Sequence, residues 1–246
     1  MTQIMAIINV TPDSFFAPSR VRSQRVQKRV EALVEQGADI IDLGAVSTRP
    51  GAASVSLREE WRRLEPALRG WDPAVALSVD TTRAEIVRRV YDCVGPFWVN
   101  DISAGEDDPE MLSTVGRLGL PYVAMHKRGN PRTMDAQCDY PEGILPALKA
   151  YFTEFSARAE AAGILEWILD PGLGFAKSAE QCWEILEGLE ALRLPGRPIL
   201  VGAADKRFTR GDTERAHRLA LQHGADILRV HDVPAARATI EAYLAQ

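Results

Sequence analysis

Polar side chains recur in this chain at the ends of short apolar runs. Asn9, Asp42, Asp80, Asn100-Asp101, His126-Lys127-Arg128, Asp170, Lys206 and the pair Arg229 and His231 all stand at such an end or just beyond it. A carboxylate such as Asp80 or Asp170, drawn into a buried site by the apolar residues before it, needs hydrogen-bond donors, because an unpaired buried charge is expensive. The N–H groups of a cyclic amidine or guanidine-like heterocycle would serve. Asn9, Arg229 and His231 form the opposite kind of group, suited to an anion or a metal-bound oxyanion. Arg229 and His231 are two residues apart, so an extended strand puts them on one face. A ligand with a donor-rich ring at one end and a phosphate at the other satisfies both sets.

Something must bring these residues together. The apolar runs are Ile4–Val10, Ile40–Gly44, Val75–Val79, Phe97–Asn100, Tyr122–Met125, Trp167–Leu169, Ile199–Gly202 and Ile227–Val230. Each is short and nearly continuous, as a parallel strand covered on both faces must be. Between them lie amphipathic stretches that predict helices over Val21–Gln36, Ser56–Arg69, Thr82–Val94, Pro109–Leu118, Pro141–Ala162, Ser178–Leu192, Thr213–His223 and Pro234–Ala245. Ser56 and Glu59 have the spacing of a capping box. Eight strand–helix alternations predict a parallel α/β architecture, and the number eight favours a closed (β/α)8 TIM barrel. The 246 residues divided by eight give about 31 per unit, which suits that barrel. No linker-like stretch interrupts the pattern, so residues 1–246 are expected to form a single domain. In such barrels the chemistry lies where the strands end, so the polar strand ends are expected to converge on one mouth.

Composition narrows the function classes. With 34 acidic and 29 basic residues the net charge is −5, which argues against a nucleic-acid surface. No apolar run is long enough to span a bilayer, and the first residues lack the basic and small-residue signals of a secretory leader. Cys93, Cys138 and Cys182 are odd in number and far apart, which fits free thiols in a cytoplasmic protein better than a disulfide framework. The four histidines show no metal-ligand spacing, so a zinc hydrolase is not expected.

The motifs themselves are specific. Ile7-Ile8-Asn9-Val10-Thr11-Pro12-Asp13-Ser14-Phe15 resembles the first signature of the dihydropteroate synthase family, and so do GADIIDLGAVSTRPGA at 37–52, SVDTTRAE at 78–85, VNDISAG at 99–105, MHKRGNPRTM at 125–134, DPGLGFAKS at 170–178 and ADILRVHDV at 225–233. The similarity runs in order over nearly the whole chain. The resemblance implies a pterin-binding TIM barrel that condenses 6-hydroxymethyl-7,8-dihydropterin diphosphate with 4-aminobenzoate, giving 7,8-dihydropteroate and diphosphate for folate biosynthesis. It implies Mg²⁺, sulfonamide competition and a homodimer. Carried over by position, Asp80, Asn100, Asp170 and Lys206 would hold the pterin, with Ile102, Met125 and Gly202 beside the ring. Asn9, Arg229 and His231 would hold the diphosphate, and Asn9 would also lie near Mg²⁺. Thr48, Arg49, Pro50 and Phe175 would help form the aminobenzoate pocket. Asp80, Lys206, Arg229 and His231 would carry the catalysis.

The chain also departs from the family pattern. The first loop reads SFFAPSR, and Ala45-Val46 stand where Gly and an acidic residue are common. The seventh loop reads Ala204-Asp205-Lys206-Arg207 in place of a Ser-Arg-Lys-Ser cluster, and the segment that follows is shorter than usual. Arg207 replaces a small residue on the aminobenzoate side. The residues for pterin and diphosphate are kept, while the second-substrate side is altered. A non-catalytic or diverged pterin-binding homologue is therefore one alternative, and a methyltetrahydrofolate-binding methyltransferase on the same barrel is another. Plainer roles stand beside these. Asp80 and Asp170 could be helix caps, Lys206 a solvated lysine, and His126 a hydrogen-bonded core histidine, which is the reading favoured for that residue. His217 and His223 are given no role. Trp61 and Trp183 read as core, and Arg58, Arg62 and Arg63 as a solvated face.

Overall fold

The computed structural model describes residues 2–10, 26–46, 55–130, 133–204 and 206–245. Strands and helices alternate: β1 (Gln3–Asn9), α1 (Val26–Glu35), β2 (Ile40–Gly44), α2 (Leu57–Leu68), β3 (Ala76–Asp80), α3 (Ala84–Val94), β4 (Trp98–Asp101), α4 (Met111–Leu118), β5 (Tyr122–Met125), α5 (Ile144–Ala161), β6 (Trp167–Asp170), α6 (Ala179–Glu187), β7 (Leu200–Val201), α7 (Thr213–Gln222), β8 (Ile227–Val230) and α8 (Val233–Leu244). The sheet order is β6-β5-β4-β3-β2-β1-β8-β7, and every strand pairing is parallel. A parallel bridge from Leu169 to Ile199 joins the two ends, and Leu169 N–H donates to Pro198 O at 3.0 Å. The chain is an eight-stranded TIM barrel, as the alternation predicts.

Period-two alternation divides each strand between two environments. Ile4, Ala6, Ile8, Ile41, Leu43, Val79, Val99, Ala124, Leu169, Leu228 and Val230 pack outward into the shell formed with the helices. Met5, Ile40, Val123, Ile168, Leu200 and Ile227 fill the barrel interior, with Trp98 against them. The apolar interior layer is a floor. Two residues further along the strands, on the same inward face, come Asp42, Ser78, Asn100, Met125, Asp170 and Arg229. The polar site is thus built on an apolar plug by strand periodicity alone.

Helix boundaries move from their predicted places for local reasons. The stretch predicted from Pro141 begins as α5 only at Ile144, because Gly143 has φ 88, outside the helical region. Asp232 caps α8 through Ala235 N at 3.0 Å, so Val233 rather than Pro234 is the first helical residue. The stretch predicted over Ser178–Leu192 breaks at Gly188 and continues as a 3₁₀ turn, Leu189–Leu192. Ser56 caps α2 through Glu59 N at 3.2 Å, while the Glu59 carboxylate pairs with Arg62 and Arg63. None of Cys93, Cys138 and Cys182 is in a disulfide. No helix among the described residues is long and apolar enough to cross a membrane.

Candidate active site

One register row sets the rim of the site. Asn9 of β1 faces Gly44 of β2, Gly44 faces Asp80 of β3, and Asp80 faces Asn100 of β4. Gly44 is required by this crowding. A Cβ there would stand 3.1 Å from Asn9 Oδ1 and 3.6 Å from Asp80 Cβ.

Below the row lies a hub around Asp42, which the sequence names at a strand end without giving it a role. Asp42 is fully buried, and its Oδ1 accepts from Ser78 Oγ at 2.6 Å. Its Oδ2 accepts from Asn100 Nδ2 at 3.0 Å and from Arg229 Nε at 2.8 Å. The same guanidinium donates through Nη2 to Asp80 Oδ2 at 2.9 Å. Burial drives the Asp80 carboxyl upward from its ordinary pKa; Arg229 opposes that, and Asp42 adds to it. A lone carboxylate inside the apolar run IIDLG is the signal that could have marked Asp42 as that hub. The sequence placed Arg229 with the anion-binding group, whereas the structure turns it toward two carboxylates.

Asp170 faces the same interior from β6. Its Oδ1 accepts from Gly172 N at 2.8 Å, and burial raises its pKa. Lys206, half-buried, carries its Nζ 4.4 Å from the centre of the Phe175 ring. Burial lowers the Lys206 ammonium to about 8, against the attraction of Asp170. His231 is half-buried just beyond β8. Burial first, then Arg229 and Lys206, bring it down to about 4, so it is neutral near pH 7. Met125 is buried at the end of β5 and Ile102 is half-buried after β4. Gly202 lies just past β7, where a Cβ would be 3.9 Å from Arg229 Cβ. Arg207 is exposed on a 3₁₀ turn, Arg207–Thr209, that leads directly toward α7. Thr48, Arg49, Pro50 and Asp205 lie outside the described residues, as does the first loop from Thr11 to Arg20.

Convergence of all the polar strand ends is corrected by alternation. Asp101 follows Asn100 and therefore points the other way, into the helix layer. It accepts from Ser103 N and Oγ, each at 2.7 Å, and from the Tyr122 hydroxyl at 2.5 Å. Lys127 pairs with Asp107 at 2.7 Å, and Arg128 lies 3.9 Å over the Tyr140 ring. His126 is a buried histidine bonded to Lys177, in keeping with the plainer role favoured for it. Asp80 is not a cap, since α3 starts after Arg83.

The inward polar layer can do one kind of chemistry well. It offers carboxylate acceptors to the N–H edge of a heterocycle, and cationic groups a few residues further along the same barrel mouth. Known proteins resemble this chain in sequence and fold. The profile of the family described as "Pterin binding enzyme" matches residues 5–231. Dihydropteroate synthase from Synechocystis is 38% identical over 95% of this chain and 86% of its own length. The chain belongs to the dihydropteroate synthase family. The Folic acid synthesis protein fol1 of Pneumocystis carinii is 40% identical, and the chain spans 94% of itself but only 34% of that longer relative. The structure of Xanthomonas albilineans dihydropteroate synthase with 4-aminobenzoic acid superposes with a TM-score of 0.85. It is 34% identical and matches 99% of this chain and 92% of its own. In this chain the barrel mouth is where the motifs meet. The motifs from strands one, three, four, six and eight supply Asn9, Asp80, Asn100, Asp170 and Arg229 to it.

Proposed function

We propose that the protein condenses 6-hydroxymethyl-7,8-dihydropterin diphosphate with 4-aminobenzoate, giving 7,8-dihydropteroate and diphosphate. The observation that carries this reading is the inward layer itself, in which Asp80, Asn100 and Asp170 face one interior with Arg229 and Lys206. Asp170 accepts from the amino and ring N–H groups of the pterin, its raised pKa reflecting a buried carboxylate short of donors. Asn100 and Lys206 bond other ring heteroatoms, with Met125, Ile102 and Gly202 beside the ring. Arg229, His231 and Asn9 hold the diphosphate.

Charge decides the mechanism. As the diphosphate leaves the methylene carbon, positive charge develops on the pterin. Asp80 stabilises that charge, and Arg229 stabilises the departing anion. The arylamine is already a nucleophile, so no base is needed before it attacks. By the family pattern Phe175, Thr48, Arg49 and Pro50 would help form its pocket, with Arg207 in place of a small residue there. The residues suit Mg²⁺ in a limited way. Asn9 offers a hard amide oxygen, while no group of three or more His, Cys, Asp or Glu among the described residues gathers to hold an ion. That donor set fits an ion that keeps most of its ligands as water and substrate phosphate. Bound there, Mg²⁺ would neutralise charge on the diphosphate.

The test is formation of dihydropteroate by the purified protein with both substrates and Mg²⁺. Binding of the pterin diphosphate without turnover would leave the diverged-homologue alternative standing instead. A methyltransferase would prefer a methylated folate to the diphosphate. The altered seventh loop supports weaker sulfonamide binding, which Arg207→Ser should reverse. The same reading makes the protein a cytoplasmic homodimer, for which sedimentation should return twice the 27.1 kDa chain mass.

A further inference from the structure

Two motifs whose roles are unassigned meet beneath the second-substrate side. Lys177 lies in the loop after β6 and is 7% exposed; His126 directly follows β5 and is 4% exposed. Lys177 Nζ stands 2.9 Å from His126 Nδ1, 3.3 Å from His126 O and 2.9 Å from Phe175 O. Nζ donates to the two carbonyls, and its third contact, with His126 Nδ1, is a hydrogen bond whether an ammonium donates to the ring or a neutral amine accepts from it. Burial lowers Lys177 to about 7, and the clamp is complete in either protonation state. Burial first, then Lys177 and Arg128, keep that ring neutral by lowering it to about 2. The ring is held against Tyr151, edge-on at 4.7 Å, and Tyr140 at 6.1 Å.

The contacts fasten one loop to the end of a neighbouring strand. Gly172, at φ 67, passes so close to the His126 carbonyl that any Cβ would overlap it. Phe175 N donates to Gly172 O at 3.0 Å, and the Tyr140 hydroxyl donates to Ala176 O at 3.0 Å. The Phe175 carbonyl is taken by Lys177. With its backbone fixed on both sides, Phe175 presents its ring to Lys206 Nζ.

We propose that Lys177 is a positioning residue for the arylamine substrate: seated on His126 and the Phe175 carbonyl, its Nζ holds the Phe175 ring in place for that substrate to bind against. This rests on the synthase reading. Lys177 touches neither substrate and acts through Phe175. Asp80, Asn100, Met125 and Asp170 are carried by the strands and do not depend on this clamp; of the pterin residues, Lys206 touches the Phe175 ring.

The experiment compares the full chain with Lys177→Met, which keeps the stem and removes Nζ. KM for 4-aminobenzoate should rise about tenfold, while calorimetry should give a pterin diphosphate Kd within about twofold of the unaltered protein. Adding Lys177→Met to Phe175→Ala should change KM little further, because the two side chains act in series. A pterin Kd that weakens by the same factor, or effects of the two substitutions that multiply, overturns the proposal. Should Lys177→Met not accumulate folded, His126→Phe carries the test. It keeps the aromatic packing, removes one partner of Nζ, and should show the same split in smaller measure; an unchanged aminobenzoate KM there also overturns it. No dihydropteroate from the unaltered protein would sink the synthase reading and this proposal with it, whereas an active parent with an unaffected Lys177→Met sinks the proposal alone.

Discussion

Arg229 holds Asp80 at 2.9 Å with the same Nη2 that reaches Asp42 at 2.7 Å. Two carboxylates on neighbouring strands therefore share one guanidinium nitrogen. Arg229 is the group that makes it tolerable to place both acids on the inner wall. In the proposed reaction it is also the group that would hold the departing diphosphate. An arriving anion would then compete with Asp80 for Arg229, and Asp80 would turn toward the charge developing on the pterin.

Asp80→Asn tests that exchange. The substitution keeps the shape and removes the charge. Turnover should fall by about 100-fold, the usual scale for losing one transition-state electrostatic contact. Affinity for inorganic diphosphate, measured by calorimetry, should hold or improve, because Arg229 is released from one ion pair. Equal losses in both would show that Asp80 only organises the ground state.

Asp42→Ala should be a stability variant. It leaves Arg229, Asn100 and Ser78 without their shared acceptor in the barrel interior. Breaking a buried ion pair from one side costs about 3–5 kcal/mol. Urea denaturation should report a loss of that order, with Asp42→Asn recovering part of it by keeping an acceptor oxygen for Ser78. A loss under about 1 kcal/mol would mean that water replaces the hub at little cost.

Gly44→Ala should act on Asn9. The new methyl group lies 3.1 Å from Asn9 Oδ1, tighter than ordinary contact, so the Asn9 side chain must move. Overpacking of this kind costs about 1–3 kcal/mol. The sharper readout is the Mg²⁺ concentration needed for half-maximal activity, which should rise several-fold. An unchanged Mg²⁺ requirement would take Asn9 out of the metal's surroundings.

Lys206 gives the pH dependence of binding. Its folded pKa is depressed to about 8 by burial, so the ammonium is present below pH 8 and lost above it. The share of pterin diphosphate affinity that Lys206 supplies should be constant below pH 8 and fall by up to about tenfold per unit above it, apart from the change near neutral pH that Asp80, raised by burial to about 7, makes in the unaltered protein and in Lys206→Arg alike. Lys206→Arg, whose cation does not titrate in this range, should remove the break. A profile with the same break in both proteins would assign it to another group.

Acid stability should follow the buried histidines. His217 is 4% exposed and burial lowers it to about 4. The unfolded chain therefore binds its proton near pH 6.5 while the folded chain resists until about 4, so stability falls as pH drops through that window. His217→Leu should flatten the fall, sparing about 1–3 kcal/mol at pH 4. Equal slopes for the two proteins in denaturation midpoints between pH 7 and 4 would assign the effect elsewhere.

Much of this site was legible in the residues. The short apolar runs alternating with amphipathic stretches specify the parallel barrel, because strands covered on both faces must be apolar and helices must bury one stripe. The motifs around Asn9, Asp80, Asn100, Asp170 and Arg229 identify the family and name the polar residues at the strand ends. What residue types could not decide is which way neighbouring side chains face and whom they meet. Asn100 and Asp101 are adjacent and both polar, yet alternation sends one into the barrel and the other to Tyr122. Arg229 suits an anion by its chemistry, but its partners Asp42 and Asp80 come from strands far away in sequence, brought near only when β8 closes against β1. Lys177 resembles any loop lysine until folding lays two carbonyls and a histidine nitrogen around it. Local pattern determined the elements and their order, because it depends on neighbours along the chain; barrel closure decided the pairings, because it depends on neighbours across it.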